Sequence, residues 1–147
     1  MRLDSKVAFV TGAAMGVGRA ICLRFAAEGA KVVAADINRE AGQETVNRIE
    51  KRGGDAVFAP CDVADELAVK QAIETGVKAF GKLDILCNNA GILWRGRDVE
   101  VTRTDEGIWD SVMAINLKGA VWVCKYGIPE LVKRAAGQLS TSVPARP

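Results

Sequence analysis

Histidine is absent from this chain, and that gap removes every mechanism built on an imidazole base or an imidazole metal ligand. Aromatic residues are scarce at 5%, and tyrosine occurs once, as Tyr126. The four cysteines, Cys22, Cys61, Cys87 and Cys124, are far apart and show no C-x-x-C spacing, which argues against disulfides or a zinc site. Each lies in an apolar context, so buried free thiols in a reducing compartment are expected. No metal site is expected either. No apolar run reaches the ~20 residues of a membrane span, and Met1-Arg2-Leu3-Asp4 does not open a signal peptide. The expectation is a cytoplasmic chain with no membrane partner. A surplus of charge is also missing: 20 Lys and Arg against 18 Asp and Glu leave +2, and the basic residues are scattered, so no nucleic-acid partner is expected.

What is present is ordinary for a globular protein. Apolar residues make up 49% and charged residues 26% of 147 positions, enough for one domain and its core. Apolar, β-branched runs at 6–11, 31–35, 55–59 and 83–87 read as strands. Between them, helical patterns run from about 18 to 28, 39 to 52 and 66 to 80, the last capped by Asp65 and closed by Gly81. This alternation predicts an α/β fold with an open, doubly wound parallel sheet. A polar, irregular stretch covers 92–107, and a long amphipathic helix follows over 108–136, interrupted by Pro129. Residues 138–147, with Pro144 and Pro147 and little apolar content, read as a frayed tail.

The stretch Thr11-Gly12-Ala13-Ala14-Met15-Gly16-Val17-Gly18 joins the first strand to the first helix. A strand, a glycine-rich turn and a helix in that order bind phosphate, because the backbone can approach a pyrophosphate and the first helical N–H groups face it. An ordinary tight strand-to-helix turn has the same composition, so these residues alone leave both readings open. Thr11, Gly12, Met15, Gly16, Val17 and Gly18 are the candidate contacts. Asp36 closes the second strand 18 positions beyond Gly18, with Ile37 after it as a further candidate contact; there a carboxylate accepts the ribose hydroxyls of NAD and repels the extra phosphate of NADP. As a plain turn or cap residue for the following helix, Asp36 needs no ligand.

Together with Asp62-Val63, Asn88-Asn89-Ala90-Gly91 and Asn116, these motifs make the chain resemble the short-chain dehydrogenase/reductase family over about residues 3–136. The resemblance implies a Rossmann-type sheet that holds NAD, with NADP less favoured. It implies that Asp62 and Val63 border the adenine, that Asn89, Ala90 and Gly91 shape the strand end beside the cofactor, and that Asn116 supports a catalytic proton relay. It also implies a small alcohol or ketone substrate and hydride transfer to or from the nicotinamide.

The same resemblance shows what is missing. The family uses a serine after the fifth strand and a tyrosine four residues before a lysine. Here Tyr126 is followed at that spacing by Glu130, whose carboxylate would raise a phenol pKa, the wrong direction for a base. Ser140 and Ser142 lie near the expected fifth strand, but the sequence after them supplies neither a buried strand nor a catalytic helix. The domain over 1–136 is therefore expected to stop after about four strands and the long helix, leaving strand four's edge bare and 137–147 as a divergent, flexible tail. A bare apolar edge predicts self-association or pairing with a full-length relative. Three readings follow: the cofactor part of an NAD-dependent oxidoreductase, inactive alone; a short NAD-binding or partner-binding form that does not turn over; or an enzyme whose site a partner chain completes.

Overall fold

The computed structural model of the chain describes residues 1–94, 97 and 99–133, and the backbone of 138–141. Its elements in order are β1 (Val7–Thr11), α1 (Gly16–Ala27), β2 (Lys31–Asp36), α2 (Arg39–Glu50), β3 (Ala56–Pro60), α3 (Glu66–Phe80) and β4 (Ile85–Asn88). A short 3₁₀ turn (Val101–Arg103), α4 (Glu106–Met113), one π-helical turn (Ala114–Lys118), α5 (Gly119–Val132) and β5 (Gln138–Thr141) complete it.

The strands form one parallel sheet in the order β3-β2-β1-β4-β5. β1 is the central strand, and all five of its residues are buried. Its side chains alternate between two cores. Phe9 joins Val33 and Leu86 under Val69 and Ile73 of α3 and Val123 and Leu131 of α5. Val10 joins Val32, Ala34 and Cys87 under Cys22 of α1 and Val46 and Ile49 of α2. Burial on both faces explains why these strands read as unbroken apolar runs rather than alternating ones. Each large core side chain contributes ~1.5–3 kcal/mol.

Two parts of the sequence-based expectation are corrected. The sheet does not stop at the fourth strand: Ile85 to Asn88 pair residue for residue with Gln138 to Thr141, so β5 covers the edge expected to be bare. The two prolines that mark this region as a tail lie beyond the four paired residues, and strand pairing asks only for backbone groups. Residues 142–147, and with them Ser142, lie outside the described residues. The long helix begins at Glu106 rather than 108, and α5 ends at Val132. Its first part and α5 are joined through the π turn, where the Gly119 N–H reaches the Ala114 carbonyl. The expected helical end at 134–136 is outside the described residues.

Because every strand is parallel, the turns after β1, β2, β3 and β4 all emerge at one edge of the sheet. The chain runs outward from β1 to β3 and then returns to β4 on β1's other side. That reversal is the topological switch point, outside whose strand ends open α/β sheets form their ligand crevice. No helix among the described residues is long and apolar enough to cross a membrane.

Candidate functional site

The crevice is floored by the glycine-rich turn. Gly12 and Gly16 adopt φ of +66° and +52°, a left-handed conformation that disfavours a side chain. Gly18 is needed for a different reason: a Cβ there would collide with the Gly12 carbonyl oxygen. At Gly16 a Cβ would meet nothing within 4 Å, so this part of the turn faces open space. Met15 and Val17 are each 63% exposed beside it.

The start of α1 differs from the other helix starts that follow a loop. Asn38 caps α2 by accepting the Ala41 N–H, Asp65 caps α3 by accepting those of Leu67 and Ala68, and Asp105 caps α4 by accepting that of Ile108. Met15 gives α1 no side-chain cap, and its first turn holds no acidic residue. The amides at this positive end of the helix therefore lack a side-chain acceptor and lie where the turn is open. That arrangement suits an anionic group.

Thr11 is not at the surface of this cradle but beneath it. It is 1% exposed, and its hydroxyl oxygen accepts the N–H groups of Asn89 and Ala90, both at 3.0 Å. The Asn89 side-chain amide donates to the Thr11 carbonyl at 2.9 Å. These bonds lock the end of β4 to the end of β1. Asn89 also sets the clearance at Gly12, where a Cβ would lie 2.9 Å from its amide nitrogen. Gly91 follows at the exposed rim.

Asp36 stands next to the turn at the end of β2. Its Oδ2 accepts the Ala14 N–H at 2.9 Å and its Oδ1 accepts the Asn38 N–H at 2.8 Å. The first of these bonds, from acid to turn, is invisible in sequence spacing. Ile37 beside it is 72% exposed. The Cys61 N–H bonds the Asp36 carbonyl at 2.9 Å, which brings the segment after β3 alongside. There Asp62 accepts the Ala64 N–H at 2.9 Å, and Val63, 8% exposed, packs against Gly119 at the start of α5.

Asn116 lies in the π turn and faces Ile92, just past Gly91. It accepts the Ile92 N–H at 2.7 Å and donates to the Ile92 carbonyl at 2.9 Å. Its amide is thus occupied in holding the loop after β4, a positioning job. The sequence resemblance pointed to the residue but not to this bond pair.

Tyr126 is elsewhere, on the α3–α5 face. Its hydroxyl donates to Glu66 Oε1 at 2.7 Å, and Lys125 Nζ reaches the same oxygen at 2.6 Å. Glu130, the carboxylate that helical spacing nominated, pairs instead with Lys133 at 2.7 Å. The hydrogen bond to Glu66 holds the phenol's pKa above its ordinary value, opposite to what a general base needs. The four thiols are free, as expected, although Cys124 is only half-buried. Burial pushes Cys22 and Cys61 up to about 12, so neither is a thiolate near neutrality.

Comparison with known proteins agrees with this geometry. The family model for short chain dehydrogenases matches residues 6–141. The 3-oxoacyl-[acyl-carrier-protein] reductase FabG of Thermotoga maritima is 39% identical over 95% of this chain and 55% of its own length. The 2,5-dichloro-2,5-cyclohexadiene-1,4-diol dehydrogenase LinX of Sphingobium indicum is 44% identical over 94% of this chain and 54% of its own. A solved 7α-hydroxysteroid dehydrogenase, in complex with NADH and 7-oxo glycochenodeoxycholic acid, superposes with a TM-score of 0.88 at 32% identity, covering 95% of this chain and 53% of that one. The chain spans about half the length of the curated relatives it matches. A Rossmann-type sheet with its glycine turn at the topological reversal, matched along nearly the whole chain, makes this protein a member of the short-chain dehydrogenase family.

Proposed function

We infer that this chain holds NAD(H) as the cofactor-binding part of a short-chain oxidoreductase. The observation that carries this reading is the start of α1, with no side-chain cap and no acid in its first turn, opening beside Gly16 onto free space. Gly12, Met15, Gly16, Val17 and Gly18 would hold the pyrophosphate there, with Thr11, Asn89, Ala90 and Gly91 fixing the floor. Asp36 and Ile37 would meet the adenosine ribose, and Asp62 and Val63 would border the adenine.

Asp36 favours NAD over NADP. Each of its oxygens accepts one backbone N–H and keeps a lone pair for a ribose hydroxyl, while its charge opposes a 2′-phosphate. When bound, the nicotinamide supplies the hydride donor or acceptor for a secondary alcohol or ketone. The names of the relatives span acyl-chain, cyclic diol and steroid chemistry, so this coarse substrate class is the one they support together.

Alone, the chain binds cofactor without turnover. Tyr126 is tied to Glu66 on the α3–α5 face, and Asn116 spends its amide on Ile92. A second reading, a partner-binding form in the cytoplasm, is favoured by an exposed apolar stripe on the helical rod: Leu117, Val121, Ile128 and Val132 are 40–74% exposed. Self-association or pairing with a full-length relative would cover it. The test is a titration of the purified chain with NADH and NADPH, followed by a turnover assay on secondary alcohols. Saturable binding that favours NADH, with no turnover, is expected. Turnover without an added chain overturns the non-catalytic reading, and absence of saturable binding overturns the cofactor assignment.

A further inference from the structure

The two residues at the bend of the glycine-rich turn, Ala13 and Ala14, are buried, at 0% and 1% exposure. All four of their backbone polar groups are taken up by the surrounding framework. The Ala13 N–H bonds the Ala35 carbonyl at 3.2 Å, and the Ala14 N–H bonds Asp36 at 2.9 Å. Their carbonyls are held from the other side, by two residues that the sequence reading passes over. The Thr45 hydroxyl of α2, with one proton to donate, lies 2.9 Å from the Ala13 carbonyl and 3.2 Å from that of Ala41 in its own helix, so the turn carbonyl is the nearer acceptor. Arg19 of α1 donates a guanidinium N–H to the Ala14 carbonyl.

The two side chains are joined to each other and anchored to α2. Arg19 Nε donates to Thr45 Oγ1 at 3.0 Å, and Arg19 Nη2 donates to the Ala41 carbonyl at 3.1 Å. Thr45 is completely buried, an unfavourable place for a hydroxyl unless it is bonded. Arg19 is equally out of place on general grounds. It sits in the first turns of α1, where the helix dipole disfavours a cation. Both local costs are offset by bonds to the turn at Ala13 and Ala14, made alongside bonds to the Ala41 carbonyl of α2. Satisfying both carbonyls turns the backbone so that the next amides, from Met15 onward, stay free at the open end of α1. The guanidinium adds positive potential beside them.

We propose that Arg19 and Thr45 are positioning residues for dinucleotide binding: a relay from α2 that holds the pyrophosphate-binding turn in shape without touching the ligand. The proposal rests on the NAD(H) reading above. A purely structural tie between α1 and α2 would lower stability and leave the affinity of the folded chain for NADH unchanged.

The experiment titrates the full chain and its variants with NADH, with circular dichroism checking that each is folded at the titration temperature. Thr45→Val keeps shape and removes the hydroxyl; Thr45→Ser keeps the hydroxyl. Thr45→Val is expected to weaken NADH binding about tenfold, the equivalent of ~1.4 kcal/mol, and Thr45→Ser to restore most of it. Arg19→Met should weaken binding similarly, and it replaces Thr45→Val as the decisive variant if the buried substitution unfolds the chain. Amide hydrogen exchange at residues 14–17 without ligand should quicken in the same variants. Parent-like NADH affinity in folded Thr45→Val or Arg19→Met overturns the positioning role alone. Failure of the parent chain to bind NADH at all overturns this role together with the functional reading beneath it.

Discussion

The carboxylate of Asp36 accepts the N–H of Ala14 at 2.9 Å, so the residue proposed to meet the ribose also braces the turn proposed to hold the pyrophosphate. One side chain thus ties the end of β2 to the glycine-rich turn. Asp36→Asn keeps the size of the group and removes its charge. NADH affinity is expected to fall by about tenfold, through weaker charge-assisted bonds to both the turn and the ribose. NADPH affinity should rise relative to NADH, because the repulsion of the 2′-phosphate is gone. Parallel fluorescence titrations with the two cofactors check this. An unchanged NADH to NADPH ratio would remove Asp36 from the discriminating role.

Gly18 and Gly16 separate two reasons for glycine in the same turn. At Gly18 an added Cβ would collide with the backbone oxygen of Gly12, which no rotamer change relieves. Gly18→Ala is expected to destabilise the chain by about 3 kcal/mol, the upper part of the range for overpacking. At Gly16 there is space, and only the left-handed φ opposes a side chain, so Gly16→Ala should cost ~1–2 kcal/mol. Its larger effect should be on NADH, because the new methyl group projects into the opening in front of α1. Urea unfolding and NADH titration, run on both variants, should rank them in opposite orders.

The turn, Asp36 and the four-strand core were legible because each rests on short-range signals: glycine spacing, apolar runs and helix caps such as Asp65 and Gly81. What was not legible depends on partners distant in sequence. Tyr126 bonds a carboxylate 60 residues away, whereas helical spacing could nominate only Glu130. β5 forms because β4 presents a free backbone edge, which leaves no mark on the composition of Gln138 to Thr141. The π turn at Ala114–Lys118 is likewise stabilised by the Asn116–Ile92 pair, a contact between two elements rather than a local propensity. Arg19 and Thr45 escaped for the same reason, since neither lies within the turn they hold.

Among the described residues Asn116 directs its side-chain hydrogen bonds to a single residue, so one substitution removes both. Asn116→Ala leaves the Ile92 N–H and carbonyl without these partners and should lower stability by about 2–4 kcal/mol. Asn116→Asp keeps an acceptor for the N–H but sets a carboxylate against the carbonyl, so it should not rescue. Urea midpoints check the stability, and amide exchange at Ile92 shows whether the loss is local. An Asn116→Ala chain with the parent midpoint would mean that the loop after β4 is held by other contacts.

Tyr126 is the sole tyrosine, so the near-ultraviolet absorbance of tyrosinate reports its ionisation directly. Its hydrogen bond to Glu66 is the main cause of a pKa above the ordinary value of about 10; burial and the carboxylate's charge add to it, and Lys125 opposes it. A group whose pKa is raised on folding contributes stability fully below its unfolded pKa and loses it as pH rises through the folded value. The contribution is therefore intact at neutral pH and fades above pH 10. Glu66→Gln should shift the tyrosinate transition back toward the ordinary value. A transition in the parent chain at or below the ordinary value would show that the Glu66 bond does not persist in solution.

The stripe along the helical rod makes the most direct prediction about assembly. Leu117, Val121, Ile128 and Val132 are 56%, 52%, 40% and 74% exposed, and their spacing keeps them on one side of a helix. Val123 and Leu131 of α5 are buried in the core under the sheet, so the exposed stripe is apolar surface beyond what the helix buries against its own sheet. A helix of that kind gains by packing against another surface as well as its own sheet. The chain is therefore expected to self-associate with increasing concentration in sedimentation or size-exclusion measurements. Val121→Glu places a charge in the middle of the stripe and should leave a monomer with the parent's NADH affinity, because the stripe is separate from the glycine-rich turn. If the parent chain is monomeric at every concentration, the stripe is not a self-association surface. If Val121→Glu remains associated, the outer side of β5, the last strand in the sheet order among the described residues, becomes the next surface to alter.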